Sequence, residues 1–340
     1  MQYAPILIPT LNRDGHLKRC LDSLAANSLA GETEIYISVD YPPADRYREG
    51  YKKVCKLLEE YDFSAFSNHH ILYQDKNLGP AANSDFLVKT ASAFTDTVIY
   101  TEDDNEFSPN FLYYINKGFE EFNDDKDVVF LCGSSDAEWY CPQEANVMKG
   151  KLLSAYGLGY WISRKKRFVE EGNTYLLCRK NWTIRNFRSL YRKNKVLFWI
   201  YVSGVLCSEK GINWEDKDHI RFCDSPISIY MHFSDYVCIC PLVSKSRTFG
   251  NDGSGVNMPA MSSNSSAILD ESDTFDYKYP EGFGFYSENY RIGDRMMFRE
   301  MNKIINLRFK LFTSWLLAIY LSVTKNRSLP LFIRRLFSHS

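Results

Sequence analysis

The chain has no continuous apolar run approaching the roughly 18–20 residues that cross a membrane as a helix. It also has no excess of either charge: 41 Lys and Arg stand against 42 Asp and Glu. That balance argues against nucleic acid as the main partner. The nine cysteines are scattered and odd in number, Cys238 and Cys240 lie too close for a CxxC pair, and no zinc-ligand spacing occurs. Thiols of this kind are expected in the reducing cytoplasm. No secretory leader is expected either, because Met1 is followed almost at once by a strand-like run, Tyr3–Pro9. The six histidines show no HxxxH-like spacing, and only His219 stands near a candidate site. No internal repeat occurs, and the sequons at Asn181, Asn264 and Asn326 match a pattern short enough to arise by chance. No Gly-rich, Lys-bearing phosphate loop follows the first strand; Pro9-Thr10-Leu11-Asn12-Arg13 stands there, which weighs against a nucleotidyltransferase.

What is present suits one large domain: 340 residues, 45% hydrophobic and 15% aromatic. The first 135 residues alternate strand and helix. Strands are expected at Tyr3–Pro9, Glu34–Val39, His70–Gln74, Thr97–Tyr100 and Val128–Cys132. Helices are expected from Asp14 as cap, over Ala44–Tyr61, over Pro80–Phe94, and over Asn110–Phe122 behind Ser108-Pro109. Short apolar strands between amphipathic helices imply an α/β fold with a mostly parallel sheet covered on both faces. In such folds ligands bind beyond the carboxyl ends of the strands. Thr10, Arg13, Asp40, Lys76 and Asn77 collect at those ends, which points to a nucleotide site.

Glu102-Asp103-Asp104 follows the fourth strand directly. Three adjacent carboxylates repel one another, and a hard divalent cation shared with substrate phosphates would offset that repulsion; the plainer reading is a solvated acidic turn. Trp214-Glu215-Asp216 could supply a base and an aromatic wall for a sugar acceptor, or be a surface turn with an anchoring Trp. Gly157-Leu158-Gly159-Tyr160-Trp161 could let backbone approach a sugar, with Gly159 on the donor side and Trp161 on the acceptor side. Gly250–Gly255 reads as a polar loop near phosphates or as a turn.

The order of these motifs resembles glycosyltransferases of the GT-A fold, especially the N-acetylglucosaminyltransferase I-like branch and related bacterial sequences. The matching pieces are Ile6–Arg13, Arg19–Leu24, Ile37–Asp40, Thr101–Phe111, Gly157–Trp161, Trp214–Asp216 and Cys240–Gly250. The resemblance implies a GT-A, Rossmann-like sheet and an inverting, Mn²⁺- or Mg²⁺-dependent transferase with a UDP-sugar donor. By position it implies Asp104 as direct metal ligand, Asp103 facing the ribose and Glu102 facing sugar hydroxyls. Arg13 and Asp40 would hold the nucleotide, and Asp216 would be the base. The family pattern at the base is usually Trp-Asp-Asp, whereas this chain has Trp-Glu-Asp followed by Lys217 and Asp218, so Glu215 and Asp218 stay alternatives.

The expected organisation is a catalytic domain at 1–257, with a nucleotide-sugar half at 1–135 and an acceptor half at 136–257. A flexible Ser-, Asn- and Asp-rich loop at 258–276 and a basic amphipathic helical tail at 277–340 follow. From Lys303 to Ser340 there are seven basic residues and no acidic one. The tail suits the interface of a membrane beside anionic lipids, and removing it after about Asn302 is expected to free a soluble enzyme; a core-closing helix is the alternative. The combined expectation is a transferase acting from a nucleotide-sugar onto a polysaccharide or lipid-linked glycan, cytoplasmic and peripheral to the inner membrane face. A nucleotidyltransferase and a catalytically inactive sugar-binding module are the rival classes.

Overall fold

The computed structural model describes residues 3–134, 144–208, 219–220, 223–250, 252–254, 268–280, 298–299, 302, 306–328 and 330. In chain order the strands are β1 (Ile6–Thr10), β2 (Glu34–Val39), β3 (Asn68–Tyr73), β4 (Thr97–Tyr100), β5 (Asn105–Phe107), β6 (Val128–Cys132), β7 (Val147–Gly150), β8 (Leu158–Trp161), β9 (Val237–Pro241) and β10 (Ser246–Thr248). The helices are α1 (Asp14–Ala25), α2 (Arg48–Glu60), α3 (Pro80–Ala91), α4 (Phe111–Glu121), α5 (Ile162–Leu177), α6 (Ile184–Lys193), α7 (Lys195–Trp199), α8 (Asp224–Phe233) and α9 (Leu307–Thr324), with a π-helical turn at Ile200–Leu206.

Eight strands form one sheet in the order β3-β2-β1-β4-β8-β6-β9-β7. β3, β2, β1 and β4 run parallel, β8 is antiparallel to both β4 and β6, and β7 is antiparallel to β9. Side chains alternate between two cores. Leu7 and Val98 join the core under α3 and α5–α9, whereas Ile6, Ile8 and Ile99 join the core under α1, α2 and α4. The expected halves at 1–135 and 136–257 share this sheet, because β8 inserts between β4 and β6. The result is the mostly parallel, helix-flanked sheet expected for a GT-A fold.

Three local expectations change. Asp14 is the first helical residue of α1 and not its cap, and Arg13 in the cap position makes no side-chain cap bond. Residues 268–276 do not behave as a separate loop: Phe275 packs on Tyr114 of α4 at 5.0 Å between ring centroids, next to Tyr277 at the start of the expected tail at 5.5 Å, and Lys245 pairs with Asp270. This aromatic burial offsets the polar composition that suggests a loop. The remainder of the expected loop, 258–267, lies outside the described residues. Finally, α9 is not a detachable tail. Leu307, Leu311, Ser314, Ala318 and Leu321 are buried against α6, α7 and the π-helical turn, and Ser203 and Ser314 hydroxyls pair at 2.7 Å. Its inner face closes a core, so truncation before it would uncover that core.

The thiols of Cys132, Cys238 and Cys240 lie within 4.8 Å of one another on one sheet face, which sequence spacing alone does not show. Cys238 donates to the carbonyls of Gly150 and Leu152 at 3.4 and 3.3 Å, as a neutral thiol does in a core.

Candidate active site

The strand order reverses its sense of winding between β1 and β4, and this switch point leaves a crevice beyond their carboxyl ends. Thr10 ends β1, and Thr101–Asp104 leads out of β4. The Thr10 hydroxyl donates to Asp103 at 2.7 Å. The Arg13 guanidinium, one residue before α1, pairs with Asp103 through one nitrogen and with Asp104 through the other at 2.9 Å. Short β-to-α connections of this kind carry a polar side chain back over the strand ends.

Burial pushes the Asp103 carboxyl upward, and Arg13 and Thr10 oppose that push. Burial alone would lower Arg13, but Asp103 and Asp104 outweigh it and hold the guanidinium charged. Glu102 keeps contact with solvent yet is closely surrounded by protein. Its carboxyl is raised to about 7, first by desolvation and then by Asp104, Asp103 and Asp224, against the opposing charge of Arg13. Asp224, in the first turn of α8, lies near enough to act on Glu102, and burial raises its carboxyl as well. Sequence reasoning passed over Asp224; its one signal is the helix-opening Asp224-Ser225-Pro226.

Two carboxylates thus share the Arg13 guanidinium, and desolvation, followed by the neighbouring negative charge, raises Glu102. Asp103 and Asp104 offer adjacent carboxylate oxygens, the donor type a hard divalent cation such as Mn²⁺ or Mg²⁺ takes together with substrate phosphates. Asp103 is engaged by both Thr10 and Arg13, Asp104 by Arg13 alone.

Asp40 sits beside Thr10, its amide donating to the Thr10 carbonyl at 2.9 Å. Its carboxylate accepts from the amides of Tyr41, Leu78 and Gly79 and from the Asn77 side chain. Asp40 and Asn77 therefore share the site's edge, where they fix the turn into α3. That turn needs Gly79 at φ +78°.

The polar loop after β10 closes the other side. Phe249 donates its amide to the Asp104 carbonyl at 2.8 Å, and any Cβ on Gly250 would run into the Asp104 carboxylate. His16 of α1 reaches Asp252 at 3.2 Å, so His16, too, stands at the rim.

Two expected site residues are not brought here. β8 runs antiparallel to β4, pairing Leu158 with Tyr100 and Trp161 with Thr97. Trp161 therefore lies at the opposite end of the sheet, packed on Phe119 at 4.9 Å and stacked 3.6 Å from the Arg164 guanidinium. Gly159 is mid-strand, and its missing Cβ makes room for Ile115 of α4. Both serve packing because the strand direction, which local sequence does not reveal, turns them away. Trp214, Glu215 and Asp216, together with Asp218, lie outside the described residues.

No curated protein matches the sequence. Among solved structures the chain is similar to TarS of S. aureus, with 16% identity and a TM-score of 0.35 over 51% of this chain and 30% of that one. It is also similar to the mannosyltransferase PcManGT of Pyrobaculum calidifontis, solved with GDP-Man and Mn²⁺, with 11% identity and a TM-score of 0.32 over 50% of this chain and 47% of that one. The chain thus spans less than half the length of either structure. The sequence model described as Glycosyl transferase family 2 matches residues 6–187. That match begins at β1, takes in every residue of the Thr10–Arg13–Asp103–Asp104 cluster and covers more than half of the 340 residues, and the chain belongs to glycosyl transferase family 2.

Proposed function

We propose that the protein is a metal-dependent, inverting glycosyltransferase. It would move a hexosyl or N-acetylhexosaminyl group, with a UDP-GlcNAc-like donor favoured, onto a hydroxyl of a polysaccharide or lipid-linked glycan. It would work as a peripheral protein at the cytoplasmic face of a membrane. Family membership supports this reading, and the observation that carries it is the acidic cluster at the β1/β4 switch point with a single guanidinium to balance it.

A bound Mn²⁺ or Mg²⁺ would neutralise charge on the leaving diphosphate. The rest is work for this chain's own groups. Arg13, held between Asp103 and Asp104, adds fixed positive charge at the rim where phosphates would lie. Thr10, Asp40 and Asn77 would line the nucleotide side. Glu102, with a carboxyl raised to about 7, can accept or donate a hydrogen bond to a sugar hydroxyl near neutral pH. Asp216, with Glu215 as the neighbouring alternative, would take the proton of the acceptor hydroxyl as its oxygen attacks the anomeric carbon and the nucleotide leaves. Trp214 would wall the acceptor side.

The deciding experiment is a screen of UDP- and GDP-sugars for hydrolysis and thermal stabilisation, with Mn²⁺ and with chelator. One UDP-sugar is expected to be hydrolysed only with metal and to stabilise the fold by roughly 2–3 kcal/mol at about 100 times its dissociation constant. Donor binding that ignores the metal and never leads to turnover would make the chain a sugar-binding module instead. For the base, Asp216→Asn should lower turnover by about two to four orders of magnitude with donor binding unchanged. A crippled Glu215→Gln beside an active Asp216→Asn would move the role to Glu215.

A further inference from the structure

Two stretches distant in sequence carry no acidic residue. Seven Lys or Arg fall between Asn173 and Ser208, and another seven between Asn302 and Ser340. Within the second stretch, α9 packs on α6, α7 and the π-helical turn of the first. At their seam the Trp315 ring meets Tyr191 of α6 at 5.2 Å and Phe198 of α7 at 4.8 Å, and the Lys195 ammonium lies 5.9 Å over the Tyr191 ring.

Charge and apolar surface flank this seam. On α6, Arg185, Arg188 and Arg192 follow an i, i+3, i+7 spacing and are exposed, with Arg188 one turn before Tyr191. On α9, Phe309, Phe312, Leu316, Ile319 and Val323 recur at steps of three and four, and each is at least 50% exposed. The stripe runs beside Trp315, which is three residues from Phe312 and four from Ile319. α9 is therefore apolar on its buried face and on this outer face as well. A helix that is apolar all round belongs in an interior or against lipid, and an exposed apolar stripe of this length marks a contact surface.

We propose that α6 and the outer face of α9 together form a docking surface for an anionic lipid bilayer. This deepens the membrane association proposed above by naming the face of α9 that meets the lipid, and it adds α6, which the tail alone does not contain. α9 would lie in the interface plane, with its five-residue stripe among the acyl chains and the α6 arginines over the headgroups. The same charge argues against a second copy as occupant. Pairing two identical faces across a two-fold axis sets like charges against each other. An anionic leaflet attracts each of them. Among the described residues no helix is long and apolar enough to cross a membrane, so α9 would lie on the bilayer rather than span it.

The test is flotation of the full chain with phosphatidylcholine vesicles, with and without phosphatidylglycerol, at low and high salt. The full chain is expected to float with the anionic vesicles and only weakly with the neutral ones. Arg185→Gln/Arg188→Gln/Arg192→Gln should lower partition by on the order of a hundredfold at low salt, about fivefold per charge, and flatten the salt dependence. Phe312→Gln/Leu316→Gln/Ile319→Gln should lower partition at every salt concentration while the melting temperature holds, because these side chains are exposed. Failure of the full chain to float with anionic vesicles, or flotation of both variants like the parent, overturns the proposal. So does a concentration-dependent dimer, seen by sedimentation, that the apolar variant abolishes while vesicle binding is absent. Flotation reads partition and not turnover, so failure here leaves the transferase assignment standing.

Discussion

Asp103 and Asp104 share the Arg13 guanidinium, while Glu102 and Asp224 add negative charge beside them. Removing the Asp104 carboxylate should therefore be tolerated by the fold, since Arg13 keeps Asp103 as its partner. Asp104→Ala is expected to lose metal-dependent nucleotide binding and turnover with little change in melting temperature. Calorimetric titration with Mn²⁺ and nucleotide checks this, and near-normal turnover by the folded variant would exclude Asp104 as the metal ligand. Glu102 makes a pH prediction for the metal-free protein. Its folded carboxyl is raised from 4.5 to about 7, so the folded state holds the proton more tightly than the unfolded chain. That contribution to stability is complete below about pH 4.5 and is lost as pH rises through 7. Solvent reaches the side chain and screens the effect, so Glu102→Gln should gain about 1 kcal/mol on the parent across that window. Parallel stability curves for the two proteins would show that Glu102 is not perturbed. At this scale the acidic cluster was legible, because three consecutive carboxylates behind an apolar strand stand out in any window. Asp224 was not, because its relevance comes only from where α8 begins in space.

Elements decide how tightly the cluster is held. β5 and β10 form a two-stranded antiparallel ribbon pairing Asn105 with Thr248, and the ribbon carries the Phe249–Gly250 turn onto Asp104. Gly250→Ala would force the Asp104 carboxylate or the turn to shift. A displacement of that size at a catalytic group costs on the order of a hundredfold in rate. Turnover should fall by about that factor with a small loss of stability, and assays paired with melting curves check it; unchanged turnover would mean that the turn moves freely away from Asp104. The five expected strands and four helices of the first 135 residues were legible within a few residues, since their apolar spacing repeats at 2.0 and 3.6; the short β5 was not, because its pairing partner β10 lies about 140 residues away. Nor was the segment at 268–276. The Ser- and Asp-rich composition up to 276 suggests a loop, and only contact with Tyr114 of α4 shows that Phe275 is a core residue and that Tyr277 packs beside it.

The described residues form an eight-stranded sheet, a two-stranded ribbon and a helical lobe closed by α9. Deleting residues 307–340 would uncover the partners of Leu307, Leu311, Ala318 and Leu321. Burial of the three leucines alone is worth on the order of 5 kcal/mol, comparable with the whole net stability of a domain. The truncated chain is expected to aggregate or to melt at a much lower temperature, as size-exclusion and thermal scans would show. A truncated chain that melts like the parent would make α9 an appendage. The sequence by itself determined the α/β class, the edge of the sheet where polar residues gather and the acidic cluster behind β4. These depend on local periodicity and on neighbours along the chain. Only the tertiary structure decided that β8 runs antiparallel and carries Trp161 and Gly159 away from the site. It also decided that Gly250 and Asp224 approach the site, and that α9 has one face in the core and the other in solvent. Strand direction and long-range packing depend on contacts between residues tens to hundreds of positions apart, and no local window contains both partners.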